Sequence, residues 1–329
     1  MKKNLLILAI VLLFVAALTF GEGQGEKAVK QEGTKKEGPY TFGLAIGWVD
    51  NDFGLRVRNG FVETIEKMGN AEYIEAVALS QPQKQVSQVE NFINTKVDAI
   101  LISPSDTTAL QPLIVKAKSA GIPTFCVDTT TYDPSPTFSC TSDNFTLGRE
   151  TMQYIADKLN GKGNLVVFSA PQHEGIRSRV LGVYSVLKKY PDIKVVATHA
   201  ISWAVGDPTP LDAMQNILRR LPNKGDIDAV WAPYDTAAAQ ISNATVQAGR
   251  ADEIIITGVD GDKMAIADYI NKGSNFEATA AQAPYWMAKT AVEIAYAYLA
   301  GEKIPRHITA PYVIATKEMN LQPYYDKDW

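Results

Sequence analysis

Two cysteines and three histidines are all that this 329-residue chain offers to thiol and metal chemistry. His173, His199 and His307 lie far apart, and no cysteine or histidine pair has ligand spacing, so no metal centre is expected. The chain also lacks a glycine-rich phosphate loop, a Gly-x-Ser-x-Gly elbow, a His-Glu-x-x-His pair and any Cys/His constellation. Asp and Glu pairs could in principle hydrolyse a glycoside, but no recognisable acid/base motif accompanies them. Neither catalysis nor a cofactor is therefore expected. Positive charge is short too: 32 Lys and Arg stand against 36 Asp and Glu, for a formal net charge of −4. With no basic face, nucleic acid is not the expected partner.

What is present begins with an exported-protein pattern. Lys2 and Lys3 precede an uncharged apolar stretch from Leu5 to Leu18, followed by small and polar residues near Gly21. This reads as an export signal over 1–21, too short for an ordinary transmembrane helix. An uncleaved anchor is the alternative, since the cleavage pattern is imperfect. Either way, the remainder is placed outside the cytoplasmic membrane, which it touches only through the signal or anchor. Residues 22–39, rich in Gly, Glu, Lys and Gln, read as a flexible linker. In an oxidising compartment Cys126 and Cys140 leave two readings open, a disulfide between neighbouring strands or a pair of buried, inert thiols.

One phrase occurs twice. Val97-Asp98-Ala99-Ile100-Leu101-Ile102-Ser103-Pro104-Ser105-Asp106-Thr107 returns as Ile227-Asp228-Ala229-Val230-Trp231-Ala232-Pro233-Tyr234-Asp235-Thr236. Each copy is an apolar run ending in a Pro-x-Asp-Thr turn, and each leads, after a helix-like stretch, to a run ending in Val127-Asp128 or Val259-Asp260. About two domains fit the length, and 46% hydrophobic residues supply a large core. Around the phrase, strand and helix patterns alternate. Strands are expected at Thr41–Gly47, Tyr73–Ala78, Ala99–Ile102 and Pro123–Val127. In the second half they are expected at Asn164–Ser169, Val195–Ile201, Ala229–Ala232, Ile254–Val259, Phe276–Ala281 and Tyr312–Ala315. Helices fill the intervals, among them Met264–Ile270 and Glu174 to Tyr190. The connections are too short for anything but parallel neighbours joined by crossover helices. The fold class is α/β: two doubly wound, mostly parallel sheets in two similar lobes with a ligand cleft between them.

Loops at the carboxyl ends of parallel strands converge on one crevice. Trp48, Asp50, Asn51 and Phe53 follow the first strand, while Ser103, Asp106, Asp128 and Thr129 end later ones. The second half adds Tyr234, Asp235, Asp260 and Gln282, with Arg177, Arg179 and Trp203 in loops after its strands. Carboxylates, amides, a guanidinium and flat rings are what a neutral polyol needs: paired hydroxyls on one side, C–H faces on the other. Simpler roles compete. Trp231 and Trp286 fit the core, Asp98 and Asp228 strand starts, Asp143 and Asn144 a helix cap, and Arg177 a surface charge.

These residues resemble a family. Ile46-Gly47-Trp48-Val49-Asp50-Asn51-Asp52-Phe53, Ile100-Leu101-Ile102-Ser103-Pro104-Ser105-Asp106 and Gly121-Ile122-Pro123 stand in an order similar to that of the periplasmic sugar-binding proteins of the ribose-binding type. Ser142-Asp143-Asn144, Arg177-Ser178-Arg179, Met214-Gln215-Asn216, Gly258-Val259-Asp260-Gly261 and Ala280-Ala281-Gln282 continue the series, from about Tyr40 to Ala315. The resemblance implies the periplasmic binding protein-like fold of type I, a sugar held between rings and polar groups of both lobes, and delivery to the permease of an ABC importer. Asn51, Asp128, Arg179, Asp260 and Gln282 match the family's polar ligand residues. Phe53 matches a stacking position and Trp203 the opposing ring. Trp48, Asp50, Arg177 and Asp235 complete the candidate set. Ser103 and Tyr234 stand where ribose binders have asparagine, Thr129 replaces an arginine, Gly47 a serine and Gly54 a second phenylalanine. The losses at Thr129 and Gly54 are expected to make room, so the ligand is expected to be a monosaccharide or compact polyol other than ribose, such as a hexose, xylose or an inositol.

The same resemblance implies a monomer with lobes of 40–142 plus 283–310 and 143–282 plus 311–329. Crossings near Ser142-Asp143, Ala283-Pro284 and Ala310-Pro311 would hinge them around the ligand. Two rivals share the core. A sugar-responsive regulator would need a helix-turn-helix where the apolar signal stands, and a receptor feeding a membrane sensor has the same sequence features as an importer's.

Overall fold

The computed structural model describes residues 39–131, 134–204 and 206–320. The expected export signal, nearly all of the expected linker and the segment 321–329 lie outside them. The first half runs β1 (Tyr40–Ile46), α1 (Asp52–Met68), β2 (Ala71–Val77), α2 (Pro82–Asn94), β3 (Ala99–Ser103), α3 (Thr107–Ser119), β4 (Thr124–Asp128) and β5 (Phe138–Thr141). The second runs α4 (Asn144–Lys158), β6 (Lys162–Ser169), α5 (Glu174–Leu187), β7 (Asp192–Ala200), α6 (Pro210–Arg220), β8 (Ala229–Trp231), α7 (Asp235–Gln247), β9 (Ile255–Asp260) and β10 (Phe276–Gln282). After them come α8 (Pro284–Leu299), β11 (His307–Thr309) and β12 (Tyr312–Thr316).

Two six-stranded sheets result, ordered β11-β5-β4-β3-β1-β2 and β12-β10-β9-β8-β6-β7. The orders are the same pattern. Every pairing is parallel except that of β10 with β12. The repeated phrase builds β3 and β8, each next to the first strand of its half. There its opening aspartates do one job twice. Asp98 Oδ2 accepts from Thr41 N at 2.7 Å and Asp228 Oδ2 from Asn164 N at 2.7 Å, each pinning its strand's start to the neighbour.

Strand alternation supplies a core on both faces of each sheet. On β1, Phe42, Leu44 and Ile46 join the cluster under α1 and α8, while Ala45 faces the cluster under α2 and α3. On β6, Leu165 and Val167 face α4 and α5, and Val166 and Phe168 face α6 and α7. Although α8 follows the second sheet, it returns Met287, Ala288, Ala291, Val292, Ala295 and Leu299 to the first core. Trp231 is fully buried and donates Nε1–H to Thr151 Oγ1 at 2.9 Å, and Trp286 packs half-buried on the first core.

Departures from the sequence pattern are local. The expected helix Met264–Ile270 is a single π-helical turn, Ala265–Ile270, and α5 stops at Leu187 rather than Tyr190. Strands β5 and β11 are short and half polar, so no apolar run announces β11 at all. Cys126 and Cys140 do lie on neighbouring strands, but the register sets Val127 opposite Cys140 and Cys126 opposite Ser139. The two side chains therefore leave the sheet on opposite faces, one into each core cluster. Both thiols are free. Burial pushes each up to about 12.

Candidate functional site

A cavity of about 710 Å³ opens where the carboxyl ends of the two sheets face each other. On the first lobe, β1 delivers Trp48, Asp50, Asn51 and Phe53. Asn51 caps α1, its Oδ1 accepting from Gly54 N at 2.8 Å, which leaves the amide group to point elsewhere. Trp48 explains Gly54. A Cβ on that glycine would strike the Trp48 carbonyl and come within 2.6 Å of its indole Cδ1. The room expected from the missing ring is thus taken by Trp48, a correction to the sequence reading.

The two Val-Asp ends carry the site's central carboxylates. Asp128 ends β4 and Asp260 ends β9, both buried and both at positive φ, +67° and +132°. Arg179, from α5, is buried between structural partners: Nε donates to Asn144 Oδ1 at 2.8 Å and Nη1 to Pro233 O at 2.7 Å. Its Nη1 lies 3.5 Å from Asp260 Oδ1. Helix α5 can bring Arg179 in because glycines line its contact with α4. A Cβ on Gly148 would overlap the Arg179 carbonyl, and one on Gly182 the Phe145 carbonyl.

Behind Asp260 sits a support of further polar groups. Gln282 Nε2 donates to Asp260 Oδ1 at 2.8 Å. Asp235, fully buried, accepts from Gly261 N at 2.8 Å, Asp262 N at 2.9 Å and Thr279 Oγ1 at 2.6 Å. Loss of water pushes the Asp235, Asp260 and Asp262 carboxyls above the usual carboxylate range. Their mutual repulsion adds to the rise at Asp260 and Asp262, and Arg179 opposes it at Asp260. Burial likewise raises the Tyr234 phenol, whose oxygen accepts from Trp203 Nε1 at 3.3 Å.

Of the residues singled out in the sequence, Trp48, Asp50, Asn51, Phe53, Asp106, Asp128, Arg179, Trp203, Tyr234 and Asp260 line this cavity. Ser103, Thr129, Arg177, Asp235 and Gln282 do not. Ser103 is buried at the end of β3, its carbonyl accepting from Gln85 Nε2 at 2.8 Å. Thr129 turns to Glu174, Oγ1 to Oε2 at 3.2 Å, and Arg177 Nη1 reaches the Pro171 carbonyl at 2.6 Å. Asp235 and Gln282 stand behind Asp260. Sequence reasoning missed Gln172 and His173, which line the wall after β6. Their place between a strand end and the start of a helix is the same signal that marks Asp128. Among the described residues no His, Cys, Asp or Glu cluster could hold a metal ion, and no helix is long and apolar enough to cross a membrane.

The lobes touch around the cavity. His173 Nε2 lies 3.4 Å from Asp128 Oδ2, Thr129 meets Glu174, and Lys263 N donates to Asp52 Oδ2 at 3.1 Å. The arrangement offers hydrogen-bond acceptors, one guanidinium and ring faces to a small molecule enclosed from both sides.

Comparison with known proteins agrees with that geometry. The periplasmic binding protein domain matches residues 42–303. The chain is 31% identical over 322 residues to the ribose import binding protein of Bacillus subtilis, covering 97% of this chain and all of that one. It is 30% identical to the xylitol-binding protein of Mycolicibacterium smegmatis, over 86% of this chain and 77% of the relative. Among solved structures, an ABC transporter solute-binding protein of Bacillus halodurans with bound myo-inositol superposes with a TM-score of 0.81 at 25% identity, covering 90% of this chain and all of that one.

Proposed function

The chain belongs to the periplasmic binding protein family, and on that premise we propose that it captures a monosaccharide or compact polyol between its lobes and delivers it to an ABC importer. The observation that carries this reading is the pairing of Asp128 and Asp260, one strand-end carboxylate from each lobe, on the walls of a single ring-lined cavity. Each carboxylate can accept from vicinal hydroxyls while Arg179 and the Asn51 amide donate to them. Phe53 and Trp203 would cover the ligand's C–H faces, with Trp48, Asp50 and Tyr234 around its edge. Gln282 and Asp235 would act through Asp260, and Thr129 and Ser103 through the loops they brace.

Charge narrows the class. Asp50, Asp106 and Asp128 line the cavity against Arg179, so a sugar acid or sugar phosphate would be repelled. The ligand is a neutral polyol, and its identity differs from ribose because Tyr234 and Thr129 replace groups that ribose binders use. In this reading the protein performs no reaction. It is exported by its N-terminal segment, acts as a monomer, and has lobes of 40–142 plus 283–310 and 143–282 plus 311–329.

A thermal-shift screen of aldoses, ketoses, alditols, inositols and sugar acids tests the proposal. At about 100 times Kd a true ligand adds roughly 2.7 kcal/mol of stability, enough to move the melting temperature by several degrees. One or a few neutral compounds should do so and sugar acids should not. A response to ribose alone, or to no polyol, would overturn the reading.

A further inference from the structure

We infer that His173 is a positioning residue of the binding site, fixing the Asp128 carboxylate in its ligand-facing orientation when the lobes meet; this rests on the polyol reading above. His173 belongs to the second lobe, between β6 and α5, and Asp128 to the first. Their contact, Nε2 to Oδ2 at 3.4 Å, spans the cleft. The imidazole is held on every side that matters. Trp48 from the first lobe and Trp203 from the second each meet it edge-on, with ring centroids 6.1 Å away at 69° and 80°. Its backbone is pinned as well, N–H donating to Ala170 O at 3.1 Å and C=O accepting from Arg177 N at 3.1 Å. Only 7% of the residue is exposed, so a side chain of this polarity needs a partner.

The proton can be assigned. Nδ1 is buried with no hydrogen-bond partner among the described residues. A proton there would leave a buried donor unmade, so the hydrogen is placed on Nε2, the nitrogen that faces Asp128. Arg179, the cavity's guanidinium, turns Nε to Asn144 and Nη1 to Pro233 and Asp260, all in its own lobe, and so does not hold Asp128. With Oδ2 of Asp128 facing His173, Oδ1 is the oxygen this arrangement leaves for the ligand. The carboxylate is then fully oriented only in the closed arrangement, which ties ligand grip to closure.

Calorimetric titration of the full chain with the polyol found by the screen separates the ring from its N–H. His173→Gln keeps a donor near Nε2 without the ring; His173→Phe keeps the ring between Trp48 and Trp203 without the donor. Glutamine should bind within about threefold of the parent and phenylalanine about tenfold or more weaker, the loss of a hydrogen bond to a charged group. Phenylalanine equal to the parent, or glutamine as weak as phenylalanine, overturns the inference. A second measurement does not depend on the ligand: Asp128→Asn should shift the His173 imidazole nitrogen resonances of the closed state that the ligand-free chain visits, read by relaxation dispersion. Unmoved resonances overturn the inference. If no polyol binds the parent while these resonances do move, the polyol reading fails and the His173–Asp128 contact stands.

Discussion

At the scale of single residues, the two strand-end aspartates occupy backbone that glycine would take most easily. Asp128 sits at φ +67° and Asp260 at +132°, conformations that cost a side chain roughly 1–3 kcal/mol each. Their surroundings differ, and so should their replacements. Asp128→Gly relieves the backbone and leaves only the His173 Nε2–H without its acceptor. The relief offsets the roughly 0.5–1 kcal/mol of extra unfolded-chain entropy that a glycine brings. The ligand-free melting temperature should stay within a few degrees, while ligand affinity falls about tenfold or more. Asp260→Gly takes away the carboxyl beside the buried Arg179 and the acceptor of Gln282 Nε2, leaving buried donors unmade at roughly 1–3 kcal/mol each. Its melting temperature should drop sharply, and calorimetry on both variants reads the contrast. Equal effects at the two sites would show that Arg179 does not depend on Asp260.

Elements decide what a shared sequence phrase becomes. In the first copy Asp106 caps α3, Oδ1 accepting from Thr108 N at 2.8 Å and Ala109 N at 3.0 Å, and it lines the cavity. In the second, Asp235 turns inward and braces the backbone after Asp260. Sequence alone could locate both turns, because an apolar run ending in Pro-x-Asp-Thr marks a strand end. It could not say which way each carboxylate points, since that depends on whether Gly261 and Thr279 lie across from it. The same limit hid the fates of Ser103 and Gln282: both end strands, and neither side chain reaches the cavity wall. Register decided Cys126 and Cys140, a one-residue offset that no single-strand pattern records. Helix packing sets Arg179 in place and yields a prediction of its own. Gly148→Ala and Gly182→Ala each drive a methyl into backbone of the facing helix, costing about 1–3 kcal/mol. Both should lower the melting temperature, but Gly148→Ala, which strikes Arg179 itself, should also weaken ligand binding more than Gly182→Ala does.

For the whole molecule the question is what holds the lobes together around the cavity. Contacts across the cleft among the described residues include three polar ones, Asp128 with His173, Thr129 with Glu174 and Lys263 N with Asp52, and the Trp48 ring edge-on against His173. Each contributes on the order of 1 kcal/mol net, and together they must offset the freedom lost at three chain crossings. Closure without ligand is therefore shallow, and the ligand, touching both lobes, supplies the difference. Residues that never touch it should then tune its affinity. Asp52→Ala removes the acceptor of Lys263 N, so it should lower affinity a few-fold at unchanged contacts in the cavity, because more of the binding energy goes into closing. Small-angle scattering with and without saturating ligand reads the same equilibrium. The parent should compact on binding, and Asp52→Ala should begin more open and reach the same final radius. A radius indifferent to ligand in both proteins would show that the cavity fills without closing, and the coupling of grip to closure through His173 and Asp128 would then have no motion to act on.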